Sequence, residues 1–472
     1  MSVYVVVISS IIVVALLGVS DPVRSWWRSL RTRPGPGVVL ILAVATTFLG
    51  GSRLAAAAAG LEAASGIRLL RAIALLSLLT LASVGILRDT RAFGRAGSAA
   101  VGMLLYGLLA VSSAVYSLSP FISAWKGFEV VTVVVVGIYL GGRLRTLEDI
   151  QGLLDIVWLA LLVLVTTALA SVAVVPEQAL VKLVYSPVSV LAGVYPEIHP
   201  NLLTQLAAII AVVCLIEWIR PNRPRQLTTV VVVLGLSLAA ALLAHSRTSL
   251  IAALIASLAV VYFSRHRALF WLAMVGGILL WAFSEAVLIY FGRGQSTETF
   301  LSMSGRTKFW PKVLQQFYDS PILGHGFYAA QHQIFGVSSV DNTYLEVLLG
   351  LGILGLVVFT LPALTSWYLL LKARPRPSTG AAGHAVWLQL MILLLFLTIR
   401  SLTGPSFQVM HPNLVLYMVA IVCINSFNRL RVEERTGSRL TSRVGPSYQL
   451  PKDFRAGPRR RRQIEARPNS GG

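Results

Sequence analysis

Arg247 is the charged residue whose position in this sequence most strongly suggests chemistry. It lies in Ala244-His245-Ser246-Arg247-Thr248-Ser249, a break of a few residues between two strongly hydrophobic runs. A guanidinium at membrane depth is costly unless it reaches the interface, pairs with an acid or binds an anion. Its planar, permanently charged fork suits phosphate oxygens, and a helix starting near Thr248 would direct free N–H groups at the same point. An anion site and a side chain that snorkels to the membrane surface both fit this pattern.

A second arginine, Arg306, lies in a polar insert, 292–342, that is flanked by hydrophobic runs on both sides. Within the insert, 304–319 has the period of an amphipathic helix. Its apolar residues at helical spacing are Phe309, Val313 and Phe317, with Trp310 and Leu314 beside them. Such a helix would lie on the bilayer surface or over a cavity. If it brought Arg306 close to Arg247, the two side chains would form a clamp for a diphosphate.

The insert ends where the chain enters the membrane again, in Val340-Asp341-Asn342-Thr343-Tyr344-Leu345-Glu346. Asp341 could act as a general base for a hydroxyl group. An Asp or Asn at this point could equally cap the helix that follows, and in isolation the residue types favour the cap for Asp341. Before this point, Gly324-His325-Gly326 reads as a turn and places one of the histidines of the insert.

Several other polar residues have a structural explanation that the sequence favours. Lys126 and Glu129 are three residues apart and can pair along one helix face, and Glu285 and Glu346 are similar cases. The tripeptide His-Pro-Asn opens two hydrophobic runs, at 199–201 and 411–413, where it suits a helix start. The chain contains no Asp-x-Asp motif, paired-histidine spacing or Walker loop, so we expect neither a metal nor another cofactor.

The elements that position these residues are membrane helices. The chain is 56% hydrophobic and 12% charged, and its apolar runs of about 15 to 24 residues are too long for barrel strands. We predict an all-α polytopic transmembrane helical bundle of 12 or 13 spans with one long extracytoplasmic loop. The candidate spans are 3–19, 37–51, 69–87, 99–117, 122–142, 153–175, 201–218, 227–244, 248–263, 268–291, 343–371, 385–401 and 414–427.

These spans leave room for one integral membrane domain, 1–427, and for a basic tail, 428–472, whose Pro, Gly, Ser and Arg content predicts disorder. The first run, 3–19, lacks a basic start and a cleavage site and is predicted to be a retained span. Cys214 and Cys423 both fall inside spans and are predicted to be packing residues.

Basic residues predict the orientation. One alternating set of loops, together with the tail, holds 29 of the 40 Lys and Arg residues, and such loops face the cytoplasm. The N-terminus and the insert are then outside the inner membrane, and the C-terminus is cytoplasmic. Membrane lipids are expected partners of the basic tail. Nucleic acid is not, because no folded RNA- or DNA-binding module accompanies the charge.

Three segments together resemble one known superfamily. HSRTSLIAALIASLAVV, SGRTKFWPKVLQQFYDSPILGHGF and DNTYLEVLLGLGILG are similar to the O-antigen ligases and O-antigen polymerases. Each of these features alone would be weak evidence for the resemblance. The resemblance is specific because four features occur together: a Ser-Arg break, a Gly-Arg…Trp helix, a Ser-Pro-x-x-Gly-x-Gly turn and an Asn-x-x-Leu re-entry. The matching core is 199–356, and the rest of the chain matches only as a series of hydrophobic spans.

The resemblance implies a C-type glycosyltransferase-like bundle that works on the outer face of the cytoplasmic membrane. It implies a metal-independent, inverting transfer of a glycan from a polyprenyl diphosphate to a hydroxyl of a glycan or lipid acceptor, in cell-envelope polysaccharide or exopolysaccharide assembly. Arg247 and Arg306 would then bind the diphosphate, whose charge grows as the glycosidic bond breaks. Asn201, Glu129 and Trp310 would line or shape the cavity.

The sequence departs from the superfamily at one position. Its ligases carry a histidine before the re-entry asparagine, whereas here Asp341 precedes Asn342. Asp341 could serve as the base, or His325 or His332 could supply it from elsewhere in the insert. The departure also leaves open whether the protein is a ligase or a polymerase.

Two rival classes share this architecture. A transporter or flippase of lipid-linked sugars would also have many spans and outer arginines, but no clear half-repeat is present in the sequence. A peptidoglycan polymerase of the shape, elongation, division and sporulation type has motifs that are not evident here.

Overall fold

The computed structural model describes residues 12, 21–48, 61–182, 188–194, 196–219, 227–264, 266–292, 295, 302, 306–337, 339–375, 380–404 and 411–443. Helices dominate these residues. Their bounds are α1 Asp21–Thr32, α2 Pro34–Phe48, α3 Leu61–Leu87, α4 Ala92–Ala96, α5 Ser98–Ser112, α6 Pro120–Arg143, α7 Leu147–Val174, α8 Pro176–Ala179, α9 Pro200–Trp218, α10 Leu227–Ala244, α11 Arg247–Ser264, α12 Arg267–Ala282, α13 Ser284–Gly292, α14 Arg306–Phe317, α15 Ala329–Phe335, α16 Thr343–Lys372, α17 Ala381–Thr403 and α18 Pro412–Arg443.

The helices confirm an all-α membrane bundle. Among the described residues, nine helices are long and apolar enough to cross a membrane, and α12 and α13, bent by 78° at their junction, could form a tenth span. Pro34–Phe48 and Val230–Ala244 are shorter apolar helices. Twelve of the thirteen predicted spans therefore coincide with apolar helices, and the first, 3–19, lies outside the described residues.

Burial separates the central helices from the peripheral ones. In α9 and α17 about four-fifths of the membrane window is buried, 83% and 78% respectively, whereas α11 buries 22%. A helix that is apolar on all sides is stable only where protein or lipid surrounds it, so the bare outer faces of α11 are suited to lipid. Helix α9 packs against α7, α10, α11 and α17 and so lies at the centre of the bundle.

Between the first two predicted spans, residues 21–32 form helix α1 and not a loop. Val23, Trp26 and Ser29 are buried on one face, while Arg28 and Arg31 are exposed on the other. The buried face packs on α7, where the Ser29 hydroxyl donates to the Asp155 carboxylate at 2.9 Å. The amphipathic segment after the first hydrophobic run is thus a helix packed on the bundle and not a loop.

Two short strands, β1 Leu180–Lys182 and β2 Ser189–Leu191, pair antiparallel between α8 and α9. A 3₁₀ turn, Ser113–Val115, continues α5. These small elements lie in connections and leave the all-helical class unchanged.

The chain divides into two compact units, Met1–Asn428 and Arg429–Gly472. In the second unit α18 continues to Arg443, and Arg431 pairs with Glu434 at 2.7 Å. The sequence predicted a disordered tail from residue 428. Residues 444–472, which include Arg459 to Arg462, lie outside the described part of the chain.

Candidate functional site

The break before Arg247 is built by a left-handed residue. His245 ends α10 with a φ of 60°, and α11 starts two residues later at Arg247. The imidazole stacks on Tyr290 with ring centroids 3.7 Å apart, and its Nε2 lies 2.6 Å from the Tyr290 carbonyl oxygen. A non-glycine residue with this φ is strained unless its surroundings hold it, and α13 does so here.

The first turn of α9 holds the other side of this break. The Ser246 amide donates to the Thr204 hydroxyl at 3.1 Å, and the Ser249 hydroxyl donates to the Asn201 carbonyl oxygen at 3.0 Å. The structure therefore brings the predicted residue Asn201 to the Arg247 break, where its backbone makes the contact. The Arg247 guanidinium donates to the side-chain oxygen of Gln295.

Helix α14 brings Arg306 to Asp341. The helix runs over residues 306–317 instead of the predicted 304–319, and residues 303–305 lie outside the described part. The Arg306 Nε donates to Asp341 Oδ2 at 3.1 Å, in an ion pair whose side chains are 18% and 42% exposed. One turn along the helix, the Trp310 indole donates to the Val340 carbonyl oxygen at 3.1 Å. Trp310 therefore fixes the backbone next to Asp341.

The apolar face of α14 packs on protein. Val313, Ala330, Val340 and Leu349 form a buried cluster, with Phe309, Trp310, Ile334, Phe335 and Leu345 against it. The predicted stripe is correct for Phe309 and Val313, but Leu314 is 40% exposed. The cluster joins the insert to α16, and it therefore sets the position of the whole Arg306 helix.

Asn342, and not Asp341, caps α16. Its side-chain oxygen accepts from the amides of Tyr344 at 3.0 Å and Leu345 at 3.1 Å. The interpretation of Asp341 as the helix cap is therefore wrong, because Asp341, with a left-handed φ of 59°, lies one residue before the capping Asn342 and two before the helix. Its carboxylate is directed instead to Arg306, while the Asn342 amide donates to the Leu402 carbonyl oxygen at 3.1 Å.

Glu346 shapes the turn that presents Asp341. Its Oε1 accepts from the Ser339 hydroxyl at 2.7 Å and from the Val340 amide at 2.8 Å, and the Ser339 hydroxyl accepts from the Asp341 amide at 2.9 Å. The sequence grouped Glu346 with ion-pair residues. That prediction is wrong, because the buried carboxylate holds loop donors instead of a cation. These hydrogen bonds hold the turn in the conformation that presents Asp341.

The structure adds a third arginine, Arg400 near the end of α17, which sequence reasoning missed. It is 4% exposed. Its Nε donates to Gln205 Oε1 at 3.1 Å and its Nη1 to the Thr248 hydroxyl at 2.9 Å. Gln205 in turn donates to Asn413 Oδ1 at 2.8 Å. The signal that could have found it is a lone arginine inside an apolar run, which is a functional candidate in its own right.

The three arginines and Asp341 form one electrostatic group. The charge of Arg306 acts on both Arg247 and Arg400. Asp341 pairs with Arg306, and its charge also acts on Arg400. Like charges gathered at the mouth of a bundle repel, so the arrangement favours a bound anion that carries more than one negative charge.

A second charged cluster lies near the start of α6. Lys126 Nζ is 3.2 Å from Glu129 Oε1, which confirms the predicted ion pair, and Arg71 adds a second cation at 3.0 Å. Glu129 is fully buried. The Lys126 ammonium lies 5.3 Å from the centre of the Tyr328 ring. Glu129 therefore anchors two cations, and one of them, Lys126, reaches the insert at Tyr328.

The two histidines of the insert have different surroundings. His325 Nε2 lies 3.0 Å from the Gln316 carbonyl oxygen, which ties the turn to the end of α14. The His332 ring lies 5.0 Å from that of Tyr328, in the Lys126 cluster. Burial, and then the charge of Lys126, lowers the pKa of His332 below its usual range. In the structure Asp341, and neither histidine, pairs with Arg306.

Both His-Pro-Asn tripeptides are helix starts, as predicted. In each, the histidine Nδ1 accepts from the asparagine amide at 3.2 Å, so the histidine and not the asparagine supplies the capping atom. Burial, and then the charges of Arg400 and His199, lowers the pKa of His411. The start of α18 therefore lies close both to Arg400 and to the start of α9.

The glycine turn locks the insert into α16. Gly324, Gly326 and Gly352 have left-handed φ values of 68°, 101° and 63°, and α16 is kinked at Gly352. The amides of His325 and Gly326 donate to the Leu349 and Gly350 carbonyl oxygens at 3.0 and 2.9 Å. Carbonyls freed by the kink are therefore bonded by the turn, as buried backbone groups require.

The fold and the site together define a multi-pass membrane protein with a cationic site where a long insert meets the helices. Residues 230–360 match the family model described as O-antigen ligase. The match supports the predicted O-antigen ligase and polymerase superfamily, with a glycosyltransferase-like role in polysaccharide assembly. No curated protein matches the chain.

The matched segment contains Arg247, Arg306 and Asp341 but not Arg400. The third arginine therefore comes from the part of the chain that the family model does not cover.

Proposed function

We propose that this protein transfers a glycan from a polyprenyl diphosphate to a hydroxyl of a glycan or lipid acceptor, as a polysaccharide ligase or polymerase of the cell envelope. The observation that carries the proposal is that Arg247 and Arg400 both lie near Arg306, which pairs with Asp341. A diphosphate is a compact polyanion, and guanidinium forks match its oxygens in geometry and charge.

The arginines would act mainly on the leaving group. When the bond between the sugar and the diphosphate breaks, negative charge grows on the bridging oxygen and spreads into the phosphates. Cations that are already fixed stabilise this charge without rearranging. Arg400 is held by Gln205 and Thr248 before any substrate binds, which is the preorganisation that the reaction requires.

Asp341 would orient the acceptor and accept its proton. Its carboxylate is 42% exposed and therefore reachable, and the ion pair with Arg306 uses Oδ2. The attacking hydroxyl would approach from the side opposite the diphosphate, which gives inversion at the sugar carbon. Asn342 and Trp310 would support this turn through the α16 cap and the Val340 carbonyl.

The Lys126 cluster would serve the glycan. Tyr328 and His332 offer a ring face and a ring nitrogen to sugar hydroxyls, while Glu129 would hold the cations behind them. His325 would have a structural role in the turn.

The proposed orientation follows the basic loops. The insert and the N-terminus would be outside and the C-terminus in the cytoplasm of the inner membrane, with 1–427 as the integral domain and 428–472 as the basic tail. This orientation would place the arginine group where a donor already moved to the outer leaflet is available.

A reconstituted reaction tests the proposal. Purified protein is mixed with a lipid-linked glycan donor and an acceptor, and both glycan transfer and release of polyprenyl diphosphate are measured. Arg247→Ala and Arg306→Ala should each lower the rate by about 100-fold or more, because each removes a fixed cation from the transition state. Lys312→Ala, which removes an exposed cation from the same helix, should keep the wild-type rate.

Normal transfer by both arginine variants at normal protein levels would overturn the proposal. Movement of the donor across the membrane with no release of polyprenyl diphosphate would instead identify a transporter.

A further inference from the structure

A cavity of about 650 Å³ lies at the end of the bundle that carries the connection between α3 and α5. Its charged lining consists of Arg88, Asp89, Arg91, Arg95, Arg143 and Arg145. The first four belong to one connection and the last two to the end of α6 and the residues after it. Five guanidinium groups therefore surround a concave space that contains one carboxylate.

Asp89 fastens the two sides of the cavity together. Its Oδ2 is 2.6 Å from Arg95 Nη1 and 3.7 Å from Arg145 Nη2, and Arg95 Nη1 also donates to the Gly142 carbonyl oxygen at 3.0 Å. The hydrogen bond from Arg95 is the main cause that lowers the pKa of Asp89, so the carboxylate is charged at neutral pH. It neutralises one of the five cations.

Arg145 shares the Asp89 carboxylate with Arg95, so the five arginines of the lining outnumber its acids. Arg88 and Arg91 are exposed and have no acidic partner among the described residues. The guanidinium of Arg143 lies 5.3 Å from the centre of the Tyr139 ring, an aromatic contact that leaves its charge uncompensated. The cavity thus has a positive potential that its own structure does not cancel.

An apolar recess of about 450 Å³ adjoins the cavity and shares Arg143 with it. Its lining is mostly apolar, with Pro34, Leu140, Leu153 and Ile156, and it also contains the ion pair between Arg33 and Asp149. Charged headgroup chemistry and hydrocarbon chemistry are therefore found side by side. A phospholipid has both an anionic headgroup for the cavity and an acyl chain for the recess. A free anion would fill the cavity and leave the recess empty.

The cavity lies far from the arginine group at the insert. Helix α6 contains the Lys126 cluster near its start and ends at Arg143. Its 24 residues span about 36 Å, roughly the thickness of the hydrocarbon core with its margins. The cavity is therefore on the opposite membrane face, which the basic loops assign to the cytoplasm.

Membrane orientation alone explains why arginines occur in these connections. It does not explain why two separate connections fold them around one space beside an apolar recess. We propose that this cavity binds the phosphate headgroup of an anionic phospholipid, with an acyl chain in the recess. Basic pockets between helix ends on this face bind such headgroups in other membrane proteins.

Retention of lipid by purified protein tests this site. Full-length protein is reconstituted in nanodiscs of phosphatidylcholine with a minor fraction of phosphatidylglycerol, extracted with mild detergent, and analysed for bound lipid by native mass spectrometry. Wild type should retain phosphatidylglycerol in preference to phosphatidylcholine. Arg88→Gln/Arg91→Gln should lower this preference about 25-fold, since each basic group near the surface contributes about a factor of five.

The matched control is Arg28→Gln/Arg31→Gln. It removes two exposed arginines from α1, which lies at the same end of the bundle because Arg33 donates to the Glu148 carbonyl oxygen at 3.0 Å. This control should retain phosphatidylglycerol as the wild type does. Equal loss of phosphatidylglycerol retention in both double variants would overturn the proposal, because any surface charge at this end would then have the same effect. Unchanged retention in both variants would overturn it as well.

A competition arm separates a lipid from a free anion. Inorganic phosphate added at millimolar concentration should leave the bound phosphatidylglycerol in place, because it cannot fill the recess. Displacement of the lipid by phosphate would overturn the assignment to a phospholipid.

Discussion

Arg400 shows how a buried cation can be both structural and functional. Its guanidinium ties α17 to Gln205 on α9 and to Thr248 on α11, and Arg306 and Asp341 act on it electrostatically. A residue that only joined helices would not need a permanent charge, because an amide could make the same hydrogen bonds. The charge is therefore best explained by the anion that we propose to lie among the three arginines.

Arg400→Gln should lower kcat/KM for the lipid-linked donor by about 100-fold, as expected when one fixed cation is lost from the transition state. Arg400→Lys should restore part of this loss, because it keeps the charge without the fork. Thermal stability measured beside the rates separates folding from catalysis. Unchanged kcat/KM in a well-folded Arg400→Gln protein would contradict this role.

His332 gives a pH prediction. Burial, followed by the charge of Lys126, lowers its pKa, so the folded protein binds the proton less readily than the unfolded chain. Below about pH 6.5 the unfolded chain takes up the proton first, and stability falls as the pH falls. Thermal unfolding between about pH 7.5 and about pH 5.5 should show a smaller loss for His332→Gln than for wild type. The same loss in both proteins would contradict the assignment.

At the scale of elements, the joint between the glycine turn and α16 decides where the insert lies. The kink at Gly352 frees carbonyl groups, and the turn at 320–326 supplies amides to them. The Val313 cluster packs helix α14 against α16, so the position of α14 depends on this joint. Glu346 of α16 likewise binds the turn that carries Asp341. A rigid joint lets a long polar insert hold Arg306 at a fixed place over the bundle.

Gly352→Ala should disrupt this joint. The left-handed φ costs about 1–3 kcal/mol for a residue with a side chain, and the added Cβ would also overlap the Ile322 carbonyl group. We expect a lower thermal unfolding temperature together with loss of glycan transfer. Gly276→Ala in α12 is the control, because its added Cβ meets no atom within 4 Å. Equal stability of the two variants would show that the joint is not required.

At the scale of the whole molecule, the site is assembled from distant parts of the chain. Helices α9, α11, α14, α16 and α17 each supply a residue or a holding contact, and the charged cavity with Arg88 and Arg91 lies at the other end of the bundle. One end of the bundle therefore carries the proposed chemistry, and the other carries most of the basic loops.

Cysteine labelling tests the proposed orientation. The native Cys214 and Cys423 are buried and provide a silent background. An impermeant maleimide should label Asp319→Cys in intact spheroplasts, because this exposed residue lies in the insert, and should label Glu148→Cys only after lysis. The reverse pattern would invert the orientation and remove the outer leaflet from the proposed reaction.

Much of the site could be found from the sequence because its residues lie at boundaries of polarity. Arg247 interrupts an apolar run, Arg306 follows the start of an amphipathic helix, and Asp341 precedes a return to the membrane. Hydrophobic period and charge are local properties of the sequence. The helices and the two candidate arginines, Arg247 and Arg306, could therefore be predicted without tertiary contacts. The Lys126–Glu129 pair was predictable for the same reason.

Only the tertiary structure decided which of these residues meet. Arg400 is 195 residues from its partner Gln205, and no local pattern records that distance. The choice between Asp341 and Asn342 as the cap was decided by which side chain accepts from the Tyr344 and Leu345 amides, and that side chain is Asn342. The sequence alone determined a helical membrane protein with arginines at polarity breaks, because burial follows local composition. Packing between distant helices decided that Arg247 and Arg400 lie near the ion pair of Arg306 with Asp341, since charges interact through space and not along the chain.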